Sequence, residues 1–227
     1  MKKGSIFHSD FEEQINSLIS VPHPVFREME LDANENFYPV VSRATGNVLR
    51  YLTHSAKPAA ILEFGTSIGY SLNWMLQGHI PKHVCTLERN QKVLEKAKEY
   101  TRRILEKNTL EKISISFLNQ EIEEYLEKNS EDLTQFEFIF LDCDKIFYPF
   151  VLKTIYETHQ KNDSWRPIVA IDNVFWHGRI FQKELSSSPS DQSIQFVWDF
   201  VSRHNSDLSS TVFPCGDGLL VFDFQKK

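Results

Sequence analysis

The chain has 227 residues, 41% of them hydrophobic and 25% charged, with a formal net charge of −6. This length and composition exclude a disordered chain and fit one large domain or one domain with a small appendage. The acidic balance argues against nonspecific nucleic-acid binding, which is usually the work of basic proteins.

There is no apolar run of about 18 residues, so no membrane span is expected. The opening MKKGSIFHSDFEEQ has lysines but no apolar stretch behind them, which argues against a secretory signal. Cys85, Cys143 and Cys215 are widely spaced, each within an apolar run. They read as reduced thiols of a cytoplasmic protein, without zinc-ligand spacing.

Residues 1–55 read as a helical extension. Phe11, Ile15, Leu18 and Ile19 recur at helical spacing, and Val41, Val48, Leu49 and Leu52 do so less regularly. Residues 56–227 then alternate. Strands are predicted at Ala59–Glu63, Val84–Glu88, Ile113–Leu118, Phe136–Leu141 and Pro167–Ile171. Helices are predicted over 69–77, 91–108, 121–129, 146–160 and 192–204. SSSPSDQS, at 186–193, reads as a loop. Thr211–Cys215 and Leu219–Phe224 form a final strand pair around Gly216-Asp217-Gly218. Alternating strands and helices imply a mostly parallel α/β sheet covered on both faces. The closing pair implies an antiparallel edge. The expected fold is a Rossmann-like, seven-stranded sheet with a C-terminal hairpin.

ILEFGTSIGYS (61–71) joins the first strand to the first crossover helix. Gly65 and Gly69 let the backbone approach a ligand. The stretch is not GxGxxG, and Glu63 would repel a pyrophosphate. An acid there suits a ligand carrying an amine, such as the methionine part of S-adenosylmethionine. About 25 residues on, the second strand ends at Glu88, which suits ribose hydroxyls. A glycine turn with two surface acids is the plainer reading of the same pattern.

Two further strands end in oxygen-bearing residues. FIFLDCDK supplies Asp142, Asp144 and Lys145, and IVAIDNVFWHGR supplies Asp172 and Asn173. In a parallel sheet these ends can be neighbours. Asp142, Asp172 and Asn173 then offer three hard ligands to Mg²⁺, Ca²⁺ or Mn²⁺. Beside such an ion a lysine ammonium is disfavoured, so Lys145 suits a general base. Asp and Asn also suit ordinary turns, and Asp-x-Asp-Lys also occurs in solvated loops.

Taken together, LEFGTSIGYS, TLERN, FIFLDCDK, DNVFWHGR and GDGLLVF resemble, in order and spacing, the cation-dependent class I O-methyltransferases. That family includes catechol and caffeoyl-coenzyme A O-methyltransferases. The resemblance spans about residues 38–224. It implies S-adenosylmethionine contacts at Val41, Glu63, Gly65, Ser71, Glu88 and Asp144. It implies cation ligands at Asp142, Asp172 and Asn173, with Asp142 also facing substrate, and a catalytic lysine at Lys145. His177 matches a substrate-facing polar position, although a solvated loop histidine fits as well. Trp176 and Phe175 suit either an aromatic substrate pocket or the core. Arg179 has no assigned role.

Some stretches depart from the family. Asn119-Gln120-Glu121 replaces a Gly-Asp-Ala type turn near adenine, and KNDSWRP replaces Pro-Gly-Gly. The resemblance implies methyl transfer to a hydroxyl of a small catechol-like aromatic, by a homodimer. A bacterial branch of the family methylates 5-hydroxyuridine in the tRNA wobble position, and TLERNQK resembles it. The acidic charge and Asp144 argue against that branch. KAKEYTRRILEK reads as a solvated helix face rather than an RNA-binding one. The serine-rich loop at 186–193 is expected to influence substrate choice.

Overall fold

The computed structural model describes residues 9–181 and 188–226. Its sheet contains β1 (Ala60–Phe64), β2 (His83–Leu87), β3 (Ser114–Leu118), β4 (Phe138–Leu141), β5 (Ile168–Asp172), β6 (Leu208–Phe213) and β7 (Leu219–Phe224). The strand order is β3-β2-β1-β4-β5-β7-β6. The first five strands pair in parallel, while β7 is antiparallel to both β5 and β6. β1 and β4 are buried along their whole length, as expected for parallel strands covered on both faces. The strand order reverses between β1 and β4. In open α/β sheets, that switch point is where ligands bind beyond the carboxyl ends of the strands.

The helices are α1 (Ser9–Leu18), α2 (Val25–Asn36), α3 (Arg43–Ala56), α4 (Tyr70–Gly78), α5 (Gln91–Ile104), the single turn α6 (Lys107–Leu110), α7 (Ile122–Asn129), α8 (Tyr148–Lys161) and α9 (Pro189–Arg203). One face of the sheet packs with α7, α8 and α9, and the other with α2 to α5. The N-terminal helices share the second of these cores. Phe26 of α2 meets Tyr70 and Trp74 of α4 edge-on. Glu30 of α2 accepts from Tyr70 Oη at 2.6 Å and pairs with Arg43 of α3 at 2.6 Å. The helix that follows the first turn is therefore braced by the N-terminal layer.

Most boundaries shift by a residue or two from the sequence reading, and β6 runs Leu208–Phe213 where Thr211–Cys215 is predicted. The helix expected over 91–108 ends at Ile104, because Leu105 turns extended and its side chain enters the core. The loop expected at 186–193 lies outside the described residues at 186–187, and from Pro189 it is already helix. Ser188 caps α9 by accepting from Asp191 N–H, and Pro189 stands in the first turn. Ser-Pro is an N-terminal helix signal that composition alone reads as a loop. Among the described residues, no helix is long and apolar enough to cross a membrane.

Candidate active site

The carboxyl ends of β1, β2, β4 and β5 open onto one cavity of about 400 Å³. That is within the usual range for small-molecule sites.

The turn after β1 forms one wall. Gly65 and Thr66 donate their backbone N–H groups to Leu87 O, both at 3.0 Å, which ties this turn to β2. Ser67, in the left-handed region at φ 47°, donates its N–H to Glu88 Oε2 at 3.0 Å. Asn90 N–H donates to Glu88 Oε1 at 2.9 Å. Backbone donors thus fix Glu88 at the cavity. Val41, Gly65 and Ser71 also line it.

Glu63 and Asp172 lie behind the wall, 0% and 2% exposed. Glu63 accepts from Ser71 Oγ at 2.7 Å and from Thr86 Oγ1 at 2.5 Å. Burial pushes its carboxyl up to about 7, although the two hydroxyls pull it down; Asp142 and Glu88 add to the rise. In the unfolded chain it titrates near 4.5, so the native state holds the proton longer. Ionisation therefore costs stability, and the cost grows as pH climbs from 4.5 through 7. At full effect it is about 3 kcal/mol. Glu63→Gln removes that cost. We expect the ligand-free variant to match wild type near pH 4 and to exceed it by that order at pH 8. Urea denaturation at the two pH values measures this; a difference independent of pH would disprove the buried acid.

Asn119-Gln120-Glu121 departs from the family turn, yet Gln120 and Glu121 still line the cavity. Asn119 Nδ2 donates to Glu88 O at 2.9 Å and Arg89 O at 2.8 Å, pinning the end of β3 to that of β2.

The second wall comes from β4 and β5. Leu141 stands opposite Ile171, so the next residues, Asp142 and Asp172, leave adjacent strands at one level. Strand spacing puts their backbones about 4.8 Å apart. Asn173 follows in the left-handed region at φ 64°. Asp142, Asp144, Lys145 and Asn173 line the cavity. Lys145 is 8% exposed. Its Nζ donates to Asp142 Oδ1 at 3.3 Å, Cys143 O at 3.0 Å and Tyr148 Oη at 2.9 Å. Tyr148 Oη in turn donates to Asp172 O at 3.1 Å. Tyr148, which sequence reasoning missed, thus joins Lys145 to the end of β5. Its only sequence signal is its place three residues after the lysine.

Among the described residues, no group of three or more His, Cys, Asp and Glu side chains is arranged to hold a metal ion. The candidate set here is two carboxylates and an amide. Its chemistry fits a hard divalent cation: all-oxygen donors, with the Asp142 side chain 9% exposed and Asp172 buried.

The third wall follows β5. Trp176 and His177 line the cavity, both in the left-handed region at φ 50° and 56°. Such a run of non-glycine residues is held by its surroundings. Phe175 N–H donates to Asp217 O at 2.9 Å, and His177 N–H to Asp217 Oδ1 at 2.8 Å. Trp176 Nε1 donates to Asp191 Oδ1 at 2.5 Å, and Arg179 pairs with Asp191 Oδ2 at 2.6 Å. Arg179 therefore serves to fix this segment against α9. Neither Asp191 nor Asp217 stood out in the sequence, since both sit among serines or glycines that read as turns.

The cavity wall carries the acids Glu88, Glu121, Asp142 and Asp144 against the bases Arg89 and Lys145.

A family model described as O-methyltransferase matches residues 22–223. A probable caffeoyl-CoA O-methyltransferase 1 of Dictyostelium discoideum is 27% identical over 109 residues, 48% of this chain and 44% of that relative. The match thus spans under half of that relative's length. An O-methyltransferase from Bacillus cereus, solved in complex with SAH, superposes with a TM-score of 0.73 at 19% identity, covering 95% of this chain and 97% of that one. A putative caffeoyl-CoA O-methyltransferase from Staphylococcus aureus gives 0.71 at 21% identity, covering 95% and 98%. TomG from Streptomyces achromogenes, involved in tomaymycin synthesis and solved with SAM, gives 0.74 at 17%, covering 96% of each chain. At these identities the structural likeness is one of fold.

Proposed function

The chain belongs to the O-methyltransferase family, and we propose that it transfers a methyl group from S-adenosylmethionine to a hydroxyl oxygen of a small catechol-like aromatic. One observation carries this reading: the glycine turn after β1 and the Asp142–Lys145 strand end open onto the same cavity. A donor held at the first is thereby delivered to an acceptor held at the second, which is the positioning that methyl transfer needs.

In this reading Glu88 receives the ribose hydroxyls. Ser71, backed by Glu63, faces the amino group of the methionine end, and Val41, Gly65 and Asp144 complete the cofactor wall. Asp142, Asp172 and Asn173 would hold a divalent cation, which when bound stabilises the oxyanion of a substrate hydroxyl. Mg²⁺ is the expected ion, with Ca²⁺ and Mn²⁺ as alternatives. Lys145, in its amine form, accepts the hydroxyl proton. The substrate oxygen attacks the sulfonium methyl in line as the carbon–sulfur bond breaks, and its electron pair returns to sulfur. Trp176 and His177 face the acceptor ring.

The acidic net charge of −6 favours a small molecule over the tRNA alternative, because nonspecific attraction to a polyanion needs basic surface. A homodimer is proposed with this reading, as the family resemblance implies.

The test is methyl transfer to a catechol panel and to tRNA bearing 5-hydroxyuridine, with Mg²⁺ and with chelator. We expect catechols to be methylated, with the rate falling at least a hundredfold in chelator. Methylation of the tRNA alone would replace the substrate assignment. Activity unchanged in chelator would remove the cation.

A further inference from the structure

The connection from α2 to α3 carries Pro39, Val40 and Val41 into the cavity wall. One carboxylate ties the two helices that flank it. Glu30 of α2 accepts twice from Arg43 of α3, from Nε on Oε1 at 2.7 Å and from Nη2 on Oε2 at 2.6 Å. The same Oε1 accepts from Tyr70 Oη, at the start of α4, at 2.6 Å. Arg43 Nη1 also donates to Asn16 O of α1 at 3.1 Å. Four helices thus meet at Glu30 and Arg43, and neither residue lines the cavity.

The residues next to this cluster are cavity residues. Arg43 follows Val41 by two positions, and Tyr70 directly precedes Ser71. Ser42, between Val41 and Arg43, caps α3 by accepting from Thr45 N–H at 3.0 Å, which fixes that step. The Glu30 and Arg43 side chains are 22% and 25% exposed. An exposed ion pair contributes little unless it is bidentate or part of a network. This pair is both.

We propose that Glu30 is a positioning residue for the cofactor: it clamps the Val41 segment of the N-terminal layer against the helix that carries Ser71. A pocket whose two sides are already fixed binds with less ordering cost than one that must be assembled around its ligand. This inference rests on the reading of the cavity as an S-adenosylmethionine site. It adds that half of the cofactor wall is set by a residue the cofactor never touches. Coupling is reciprocal, so the bound cofactor must in turn hold α2 in place.

The experiment uses the full chain, calorimetry with S-adenosylmethionine, and hydrogen exchange with and without saturating cofactor. Glu30→Gln keeps one acceptor oxygen but turns an N–H toward Arg43 or Tyr70. Its Kd should rise about tenfold, the worth of one such hydrogen bond. Tyr70→Phe, which removes one O–H, should weaken binding in the same sense. The double variant should lose less than the product of the two effects. Glu28→Gln makes the same charge change on the same helix, where Glu28 pairs with exposed Arg103, and should bind like wild type. In wild type the cofactor should slow exchange over residues 25–36 by about tenfold, and in Glu30→Gln that gain should vanish. A fall in melting temperature alone, with wild-type Kd, overturns the proposal. So does wild-type exchange over 25–36 that ignores the cofactor, a result that needs no variant to fold. Wild-type protein that binds no S-adenosylmethionine sinks the methyltransferase reading as well, whereas equal affinity in wild type and Glu30→Gln sinks the clamp alone.

Discussion

Replacing Lys145 with alanine should lower the turnover number by 10²- to 10⁴-fold, the usual share of a general base, while cofactor affinity holds. The geometry separates the two effects. Lys145 Nζ touches Asp142, Cys143 O and Tyr148 Oη, all on the β4–β5 side of the cavity. The cofactor wall is held independently by the Glu88 contacts to Ser67 and Asn90. Losing the side chain leaves Tyr148 Oη still donating to Asp172 O at 3.1 Å, so the strand ends stay joined.

The informative companion is Lys145→Arg. If the ammonium served only to neutralise Asp142, arginine would restore activity, since it keeps the charge. Arginine cannot give up its proton in a protein, so a base role predicts that Lys145→Arg stays as inactive as Lys145→Ala. Single-turnover methyl transfer and calorimetry with S-adenosylmethionine read both quantities. An active Lys145→Arg enzyme would falsify the base assignment and leave an electrostatic one.

What could be read from sequence here follows the physics of each signal. Buried parallel strands are short apolar runs, so the strands predicted at Ala59–Glu63 and Phe136–Leu141 announce themselves, observed at Ala60–Phe64 and Phe138–Leu141, and Asp142 marks the end of the second. The ladder that sets Asp142 level with Asp172 is a long-range pairing. Sequence supplies the two strand ends but only an expectation that they are neighbours. Strand alternation likewise does not say which acid faces a cavity. Glu63 looks like a cavity acid, but the structure encloses it behind Ser71 and Thr86. The residues missed altogether act through partners far away in the chain. Asp217 looks like a turn residue until His177, 40 positions earlier, folds against it. Asp191 lies in a serine-rich stretch, and its role appears only once Trp176 and Arg179 reach it.

Gly65→Ala should damage both halves of the site together, which no side-chain deletion at either half should do. Gly65 sits at φ 100°, outside the regions open to L-residues. A Cβ there would lie 2.3 Å from Asp142 O, 2.7 Å from Asp142 C and 3.0 Å from Cys143 Cα. All three are backbone atoms, so no rotamer change relieves the clash. Backbone strain and forced separation together cost about 3–5 kcal/mol, a large share of the roughly 5–15 kcal/mol that holds a domain folded. The melting temperature should therefore drop by on the order of 10 °C. Any alanine variant that folds must move the β1 turn away from β4. That displaces the turn that binds the donor and, at the same contact, the residues that carry Asp142 and Lys145. Cofactor affinity and turnover should fall in parallel, in contrast to Lys145→Ala, where turnover alone falls. Thermal denaturation and calorimetry on the two variants side by side decide the matter. A Gly65→Ala protein with wild-type melting temperature and cofactor affinity would mean that the two walls are not in backbone contact. In the structure they are, and that contact is what makes one cavity of two strand ends.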